Sequence, residues 1–268
     1  MLISCLILVL SLIFAVPGLA SEPDQPLNRP EWIRENWNLT FSDDFDGDSI
    51  DYTKWVHPPE WQRGEGFWND DDAFVDGEGN LIIRTRKDGD KYYTGALATR
   101  EYTNAPERTF SQTFGYYEMR AKLPANLVGF HVAFWLMPDR IDEEILGTGE
   151  DWTEIDIFEA PFRRETIFHT LHWDGYEGDH KSYHKQLFVP DLFEGFHTFA
   201  LEWNEDEYIF YVDDEETWRT SAGGVSKAPS HMIISAEAKN WGGNINNNTK
   251  LPQNFIVDYV RVYQDPNR

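Results

Sequence analysis

From residue 37 to residue 263 the chain is written largely in period two. Stretches such as "WNLTFS" (37–42), "NLIIRTR" (80–86), "FGYYEMRAKL" (114–123), "FHVAFWLM" (130–137), "TIFHTLHW" (166–173), "EYIFYV" (207–212) and "FIVDYVRVY" (255–263) are rich in branched and aromatic residues and punctuated by turn residues. Side chains of a strand alternate between its faces, so each such segment has one face to hide. Convincing helical periodicity is nearly absent. The expected fold class is therefore all-β, an antiparallel β-sandwich whose sheets cover each other's apolar faces. At 268 residues the chain is within the size of one large sandwich, and a single domain is expected.

The first twenty residues, "MLISCLILVLSLIFAVPGLA", carry no charged side chain and end in Gly18-Leu19-Ala20, a small-x-small pattern. They read as a signal peptide (1–20) cleaved after Ala20. The segment lacks a basic start, so an uncleaved anchor is the alternative, although the apolar run is short for a membrane span. Residues 21–30 read as a polar linker and 31–268 as the domain, which is expected to be secreted, free of the membrane and monomeric. The single cysteine, Cys5, falls in the leader, which leaves the mature chain no disulfide, thiol nucleophile or thiolate metal site.

With 23 basic against 47 acidic residues, the net charge of −24 opposes binding to nucleic acids and anionic membranes. It also disfavours sulfated polymers, and no basic cluster stands out in the segments expected to form a cleft. The 11 Trp, 12 Tyr and 18 Phe exceed what a core of this size ordinarily uses, so some rings are expected to line that cleft. The irregular stretches 57–79, 139–151, 174–190 and 239–252 are long enough to be functional loops.

One segment breaks the alternation. In "WTEIDIFEA" (152–160), Glu154 and Asp156 share a strand face while Glu159 falls on the other. A β-bulge after Asp156 would return Glu159 to its companions. Four strand steps of about 3.3 Å then set the two Glu backbones roughly 13 Å apart. Side chains leaning inward close that gap to about 5 Å, the separation a retaining glycosidase needs between nucleophile and acid/base. Crowding would raise the carboxyl pKa values and keep one group protonated. Two other readings stand beside this one: an edge strand with acids facing solvent, and a calcium site completed by loops.

"EIDIFE" resembles the E-x-D-x-x-E signature of glycoside hydrolase family 16, in the branch that includes laminarinases, agarases, carrageenases and porphyranases. "FSDDFDGDSIDYTKW" (41–55), "FGYYEMRAKLP", "AFWLMP", "FHTFALEWNEDEYIFYVD" and "FIVDYVRVYQ" are similar to its opening, central and closing segments. The resemblance implies a concanavalin-like jelly roll with an open cleft on the concave sheet, and retaining endo-hydrolysis of a polysaccharide without a catalytic cofactor. Glu154 would be the nucleophile, Glu159 the acid/base and Asp156 the assisting residue. A β-1,3- or mixed-linkage β-1,3-1,4-glucan is the expected substrate. The alternatives are a β-galactan, transglycosylation, or a non-catalytic carbohydrate-binding sandwich. Where many laminarinases carry Trp-Pro this chain has His131-Val132, which weakens the case for laminarin itself.

Around the acids, Trp152 is placed to stack on a sugar ring beside Glu154. Trp135 matches a family position on the concave face, and His172 resembles one near the acid/base, where it would hydrogen-bond substrate or tune Glu159. Trp173 is divided between core and cleft, and Trp241 in "NWGGN" (240–244) is expected on the cleft rim. His169 and His172, three apart, should face opposite ways and so not share a zinc ion. Asp258 is an acid in a core-like strand, which calls for a partner. The resemblance implies a structural calcium held by Asp258 and Asp44; the alternative is a salt bridge from Asp258 to Arg261.

Overall fold

The computed structural model describes residues 28–102, 109–125, 128–139, 147–161, 164–176, 178–239, 241, 243–246 and 249–268. The leader and most of the linker lie outside these residues. A helix, α1 (Arg29–Asn36), comes first, then β1 (Asn38–Asp43), β2 (Gln62–Arg63), β3 (Gly66–Trp68), β4 (Ala73–Val75), β5 (Leu81–Asp88) and β6 (Lys91–Thr94). The chain continues through β7 (Ala96–Ala98), β8 (Gly115–Lys122), β9 (His131–Pro138), β10 (Thr153–Ala160), β11 (Thr166–Trp173) and β12 (Lys181–Phe188). It closes with β13 (His197–Trp203), β14 (Tyr208–Val212), β15 (Glu215–Thr220), β16 (Ser230–Glu237) and β17 (Gln253–Gln264).

These strands form two sheets. The larger runs β15-β14-β13-β8-β17-β5-β6-β3-β2, with β1 on β17 and β4 on β5; the smaller runs β12-β11-β10-β9-β16-β7. Alternation sorts the side chains as period two requires. Tyr117, Met119, Phe199, Leu201, Phe210 and Val260 of the larger sheet meet Val132, Phe134, Ile155, Phe158, Leu171 and Ile234 of the smaller in one core. Phe158 stacks on Phe199 with ring centroids 4.0 Å apart, joining the sheets beneath the centre of β10.

Helix α1 covers the outer face of the larger sheet. Asn28 caps it, its side chain accepting the Glu31 N–H at 3.0 Å, and Pro30 opens the first turn. Ile33 is fully buried against Tyr116, Ile209, Tyr211 and Tyr263. Arg29 pairs with buried Glu202, and Arg34 bridges buried Glu118 at 2.7 Å and Asp214 at 2.7 Å. The expected linker overlaps the start of this helix because α1 has no apolar stripe; only Pro30 and Ile33 are buried. The Asn-x-Pro-Glu start was the signal available.

Candidate active site

The acids are positioned by a defect in β10. Asp156 faces Thr170 of β11, yet Glu159 faces Phe168, so three steps on β10 oppose two on its neighbour. On the other side Asp156 faces Trp135 of β9 and Phe158 faces Phe134. This is a β-bulge. It sends Ile157 and Phe158, adjacent in sequence, into the same inter-sheet core. Glu154, Asp156 and Glu159 consequently share the opposite, outer face of the smaller sheet.

A bulge disturbs the ladder, and the carbonyl it diverts needs a partner. Here the Ile157 carbonyl accepts from Nδ1 of His169, 2.5 Å away on β11. Nε2 of His169 is 2.9 Å from the Thr217 hydroxyl, and the ring stacks on Phe210 with centroids 4.7 Å apart. Burial pushes the imidazole down to about 4, so the ring is neutral at pH 7 and its proton belongs on Nδ1. His172 points the other way, toward the acids, as alternation requires.

Both glutamates line a cleft of about 720 Å³, and buried Asp156 lies between them in the strand. Burial, followed by the charge of Glu159, pushes Glu154 up to about 8. Asp156 is raised well above the ordinary carboxylate range, first by burial and then by Glu159 and Glu154. Burial raises Glu159 to about 7, moderated by a hydrogen bond donated by the Thr170 hydroxyl at 3.1 Å and by the charge of Lys239. All three carboxyls are thus raised, which favours a proton shared within the cluster. Among the described residues, Glu154 Oε2 and Asp156 Oδ2 are buried and have no hydrogen-bond partner, a setting for protons held within the cluster.

Ligand atoms of Glu154, Asp156 and His172 lie within 4.8 Å of one another, and Glu159 stands outside this group. His172 Nε2 is 3.5 Å from Asp156 Oδ2. Burial pushes His172 down to about 4, which keeps it neutral at pH 7, and its Nδ1 meets His180 Nε2 at 2.9 Å. Two carboxyls and one imidazole could hold a cation, but they would leave most of an oxygen-rich shell to solvent.

The cleft walls are aromatic. Trp135 and Trp152 line it, largely buried, with the Trp135 Nε1–H donating to Ser235 Oγ at 3.1 Å and Trp152 edge-on to Tyr176 at 5.3 Å. Trp61, Trp68, Tyr102 and Tyr176 also line it and were not singled out from the sequence. Of these, Trp61 and Tyr176 are exposed. For Trp61 and Trp68 the available signal was the Trp-bearing stretch 57–79; Tyr102 and Tyr176 lie in stretches without Trp. Arg63 and Lys239 are in the lining too, which corrects the expectation that the cleft segments lack a basic cluster. Both ion-pair with buried Glu237, at 2.6 Å each.

Three other assignments change. Trp173 packs against the inter-sheet core, its ring where any side chain on Gly223 would lie, 2.7 Å from an added Cβ, so it belongs to the interior. Trp241 is outside the cleft lining; it is exposed and touches Phe168 at 5.5 Å and His131 at 5.6 Å. Phe168 is the cross-strand partner of Glu159, which puts Trp241 beyond that end of the row of acids. Asp258 pairs with Arg120 rather than Arg261, while Asp44 takes Arg261 at 2.6 Å. Each carboxylate thus gives one oxygen to a different guanidinium, an ion-paired arrangement in place of a shared calcium.

Residues 36–265 match the domain described as beta-porphyranase A–D, GH16 domain. The chain is 30% identical over 263 residues to a beta-glucanase of Rhodothermus marinus, a match covering 85% of this chain and 86% of that one. It is 26% identical to glucan endo-1,3-beta-glucosidase A1 of Niallia circulans over 85% of its own length but only 38% of that protein's. The laminarinase catalytic domain of Thermotoga maritima superposes with a TM-score of 0.70 at 29% identity, covering 86% of this chain and 99% of that domain. A matched span of this extent, on a two-sheet fold with a bulged E-x-D-x-x-E strand, establishes that the chain belongs to glycoside hydrolase family 16.

Proposed function

We propose that the chain is a retaining endo-glycosidase acting on a β-1,3- or mixed-linkage β-1,3-1,4-glucan. The observation that carries this reading is the bulge, which turns three carboxyls with raised pKa values to one face at the floor of an aromatic-walled cleft. Glu154 attacks the anomeric carbon while Glu159 protonates the departing oxygen, giving a covalent glycosyl-enzyme. Glu159 then takes a proton from water as the water displaces Glu154. Asp156 assists Glu154. When a proton rests on Asp156, Glu154 loses a neighbouring negative charge, which favours its ionised form as the nucleophile. Rings along the cleft stack on the C–H faces of successive sugars.

Glu154→Gln is expected to abolish turnover and spare binding; unchanged turnover refutes the nucleophile. NMR of the first product should give retained anomeric configuration, and initial inversion refutes double displacement. A second reading is a galactan, including a sulfated one. It is favoured by the porphyranase description of the matching domain and by Arg63 and Lys239 in the cleft. Reducing-end assays on laminarin, lichenan, agarose, porphyran and carrageenan decide between the two. The leader directs export on this reading, and the N-terminus of protein recovered outside the cell should then be Ser21.

A further inference from the structure

Behind one wall of the cleft runs a line of polar groups that the reaction above does not use. Asp139, just after β9, places Oδ1 3.1 Å from Nδ1 of His231 on β16, and both side chains are fully buried. Nε2 of the same imidazole is 2.9 Å from the Tyr102 hydroxyl. Tyr102 reaches the cleft beside Glu154, its ring edge-on to His231 at 5.7 Å and to Trp61 at 5.1 Å.

An ionised carboxylate only accepts hydrogen bonds, so Asp139 draws the imidazole proton to Nδ1. A neutral ring then presents a lone pair at Nε2, and the one proton of the Tyr102 hydroxyl is committed to it. A second proton on the ring would make a fully buried imidazolium–carboxylate pair with Asp139, and the desolvation of that added charge opposes it. What Tyr102 offers the cleft is therefore oxygen lone pairs alone. We propose that the Asp139–His231–Tyr102 chain makes Tyr102 a specificity-determining hydrogen-bond acceptor, selecting a sugar with a free hydroxyl at that point over one whose oxygen there is sulfated or locked in an ether. Two acceptors facing each other repel, and a site built for a hydroxyl rejects an analogue lacking it. Tyr102 is the binding residue; His231 and Asp139 position it. The inference rests on the cleft being the sugar-binding site.

NMR of ¹⁵N-labelled imidazoles in the free protein reads the chain directly. A His231 ring protonated on Nδ1 and bare on Nε2 is expected. A proton on Nε2 reverses the hydrogen bond, frees the Tyr102 hydroxyl to donate, and overturns the proposal whatever the enzyme cleaves. On the polysaccharide the wild type cleaves fastest, Tyr102→Phe should raise KM about tenfold with kcat changed little, the pattern of uniform binding lost. An unaltered KM overturns it. His231→Leu should raise KM no more than Tyr102→Phe and add nothing to it in the double variant, since it acts only through the hydroxyl; additive effects refute the positioning role. A chain that cleaves no polysaccharide refutes the function proposed above, while the imidazole measurement still decides this inference.

Discussion

Replacing His169 by Phe tests whether the bulge is held from the core side. The ring volume and the stack on Phe210 are kept, so what disappears is the donor to the Ile157 carbonyl, 2.5 Å away. Thr217 loses little, because its hydroxyl also reaches the Phe210 carbonyl at 3.1 Å. Ile157 is fully buried and water cannot replace the lost donor. An unsatisfied buried carbonyl costs about 1–3 kcal/mol. The same loosening releases Glu159, and a misplacement of about 1 Å lowers turnover on the order of a hundredfold. Urea unfolding followed by Trp fluorescence, together with kcat, reads both effects. His169→Asn should recover kcat ahead of stability, since its amide can donate near the position of Nδ1 without restoring the stack. A His169→Phe variant that loses under about 0.5 kcal/mol and keeps its kcat would refute the idea that this imidazole fixes the bulge.

Other expectations follow from the buried charges. Glu154 has a folded-state pKa raised from 4.5 to about 8, so its contribution to stability is fully present below its ordinary value and is lost as pH rises through 8. Glu154→Gln should therefore melt above the wild type at pH 8 and near it at pH 4, and a variant less stable at pH 8 contradicts that sign. His131 and His169 are depressed from 6.5 to about 4, so their contributions are present above 6.5 and lost as pH falls toward 4. Acid melting curves should steepen across that window. Arg34→Ala strands Glu118, which is fully buried, and should cost about 3 kcal/mol in urea unfolding; a loss under about 1 kcal/mol would mean that Tyr116 and Tyr259, whose hydroxyls also bond Glu118, suffice.

How much of this was legible in the sequence depended on range. The bulge was, because two consecutive apolar residues can both face the core of a strand, and return the following acid to its companions, only where one residue is inserted. The inward turn of Trp173 follows by alternation once His172 faces the cleft, so it was recoverable. The pairing of Arg63 with Glu237 joins residues 174 positions apart, and no local pattern announces such a contact. Asp258 was recognised as needing a partner, but the partner, Arg120, sits on neighbouring β8 and not within its own strand. Strand neighbours in a crossed-over sheet are set by topology, which a single sequence does not display.

The bulge answers more than a question of phase. Removing Phe158 would leave E-x-D-x-E, a regular strand that also carries three acids on one face with its outer pair about 13 Å apart, so spacing alone does not require the extra residue. A bulge adds what a regular strand lacks, a local bend that re-aims the side chain beyond it. It also places a second apolar residue directly beneath the acids, where Phe158 stacks on Phe199 and meets Phe255 edge-on at 6.0 Å. Burying that ring contributes about 1.5–3 kcal/mol, opposing the unfavourable burial of the carboxyls above it. Deletion of Phe158 should accordingly keep the order of acids, lower stability by about that amount and remove turnover. A deletion variant that folds and turns over at the wild-type rate would mean that the shared face is sufficient and that the bend has no part in the chemistry.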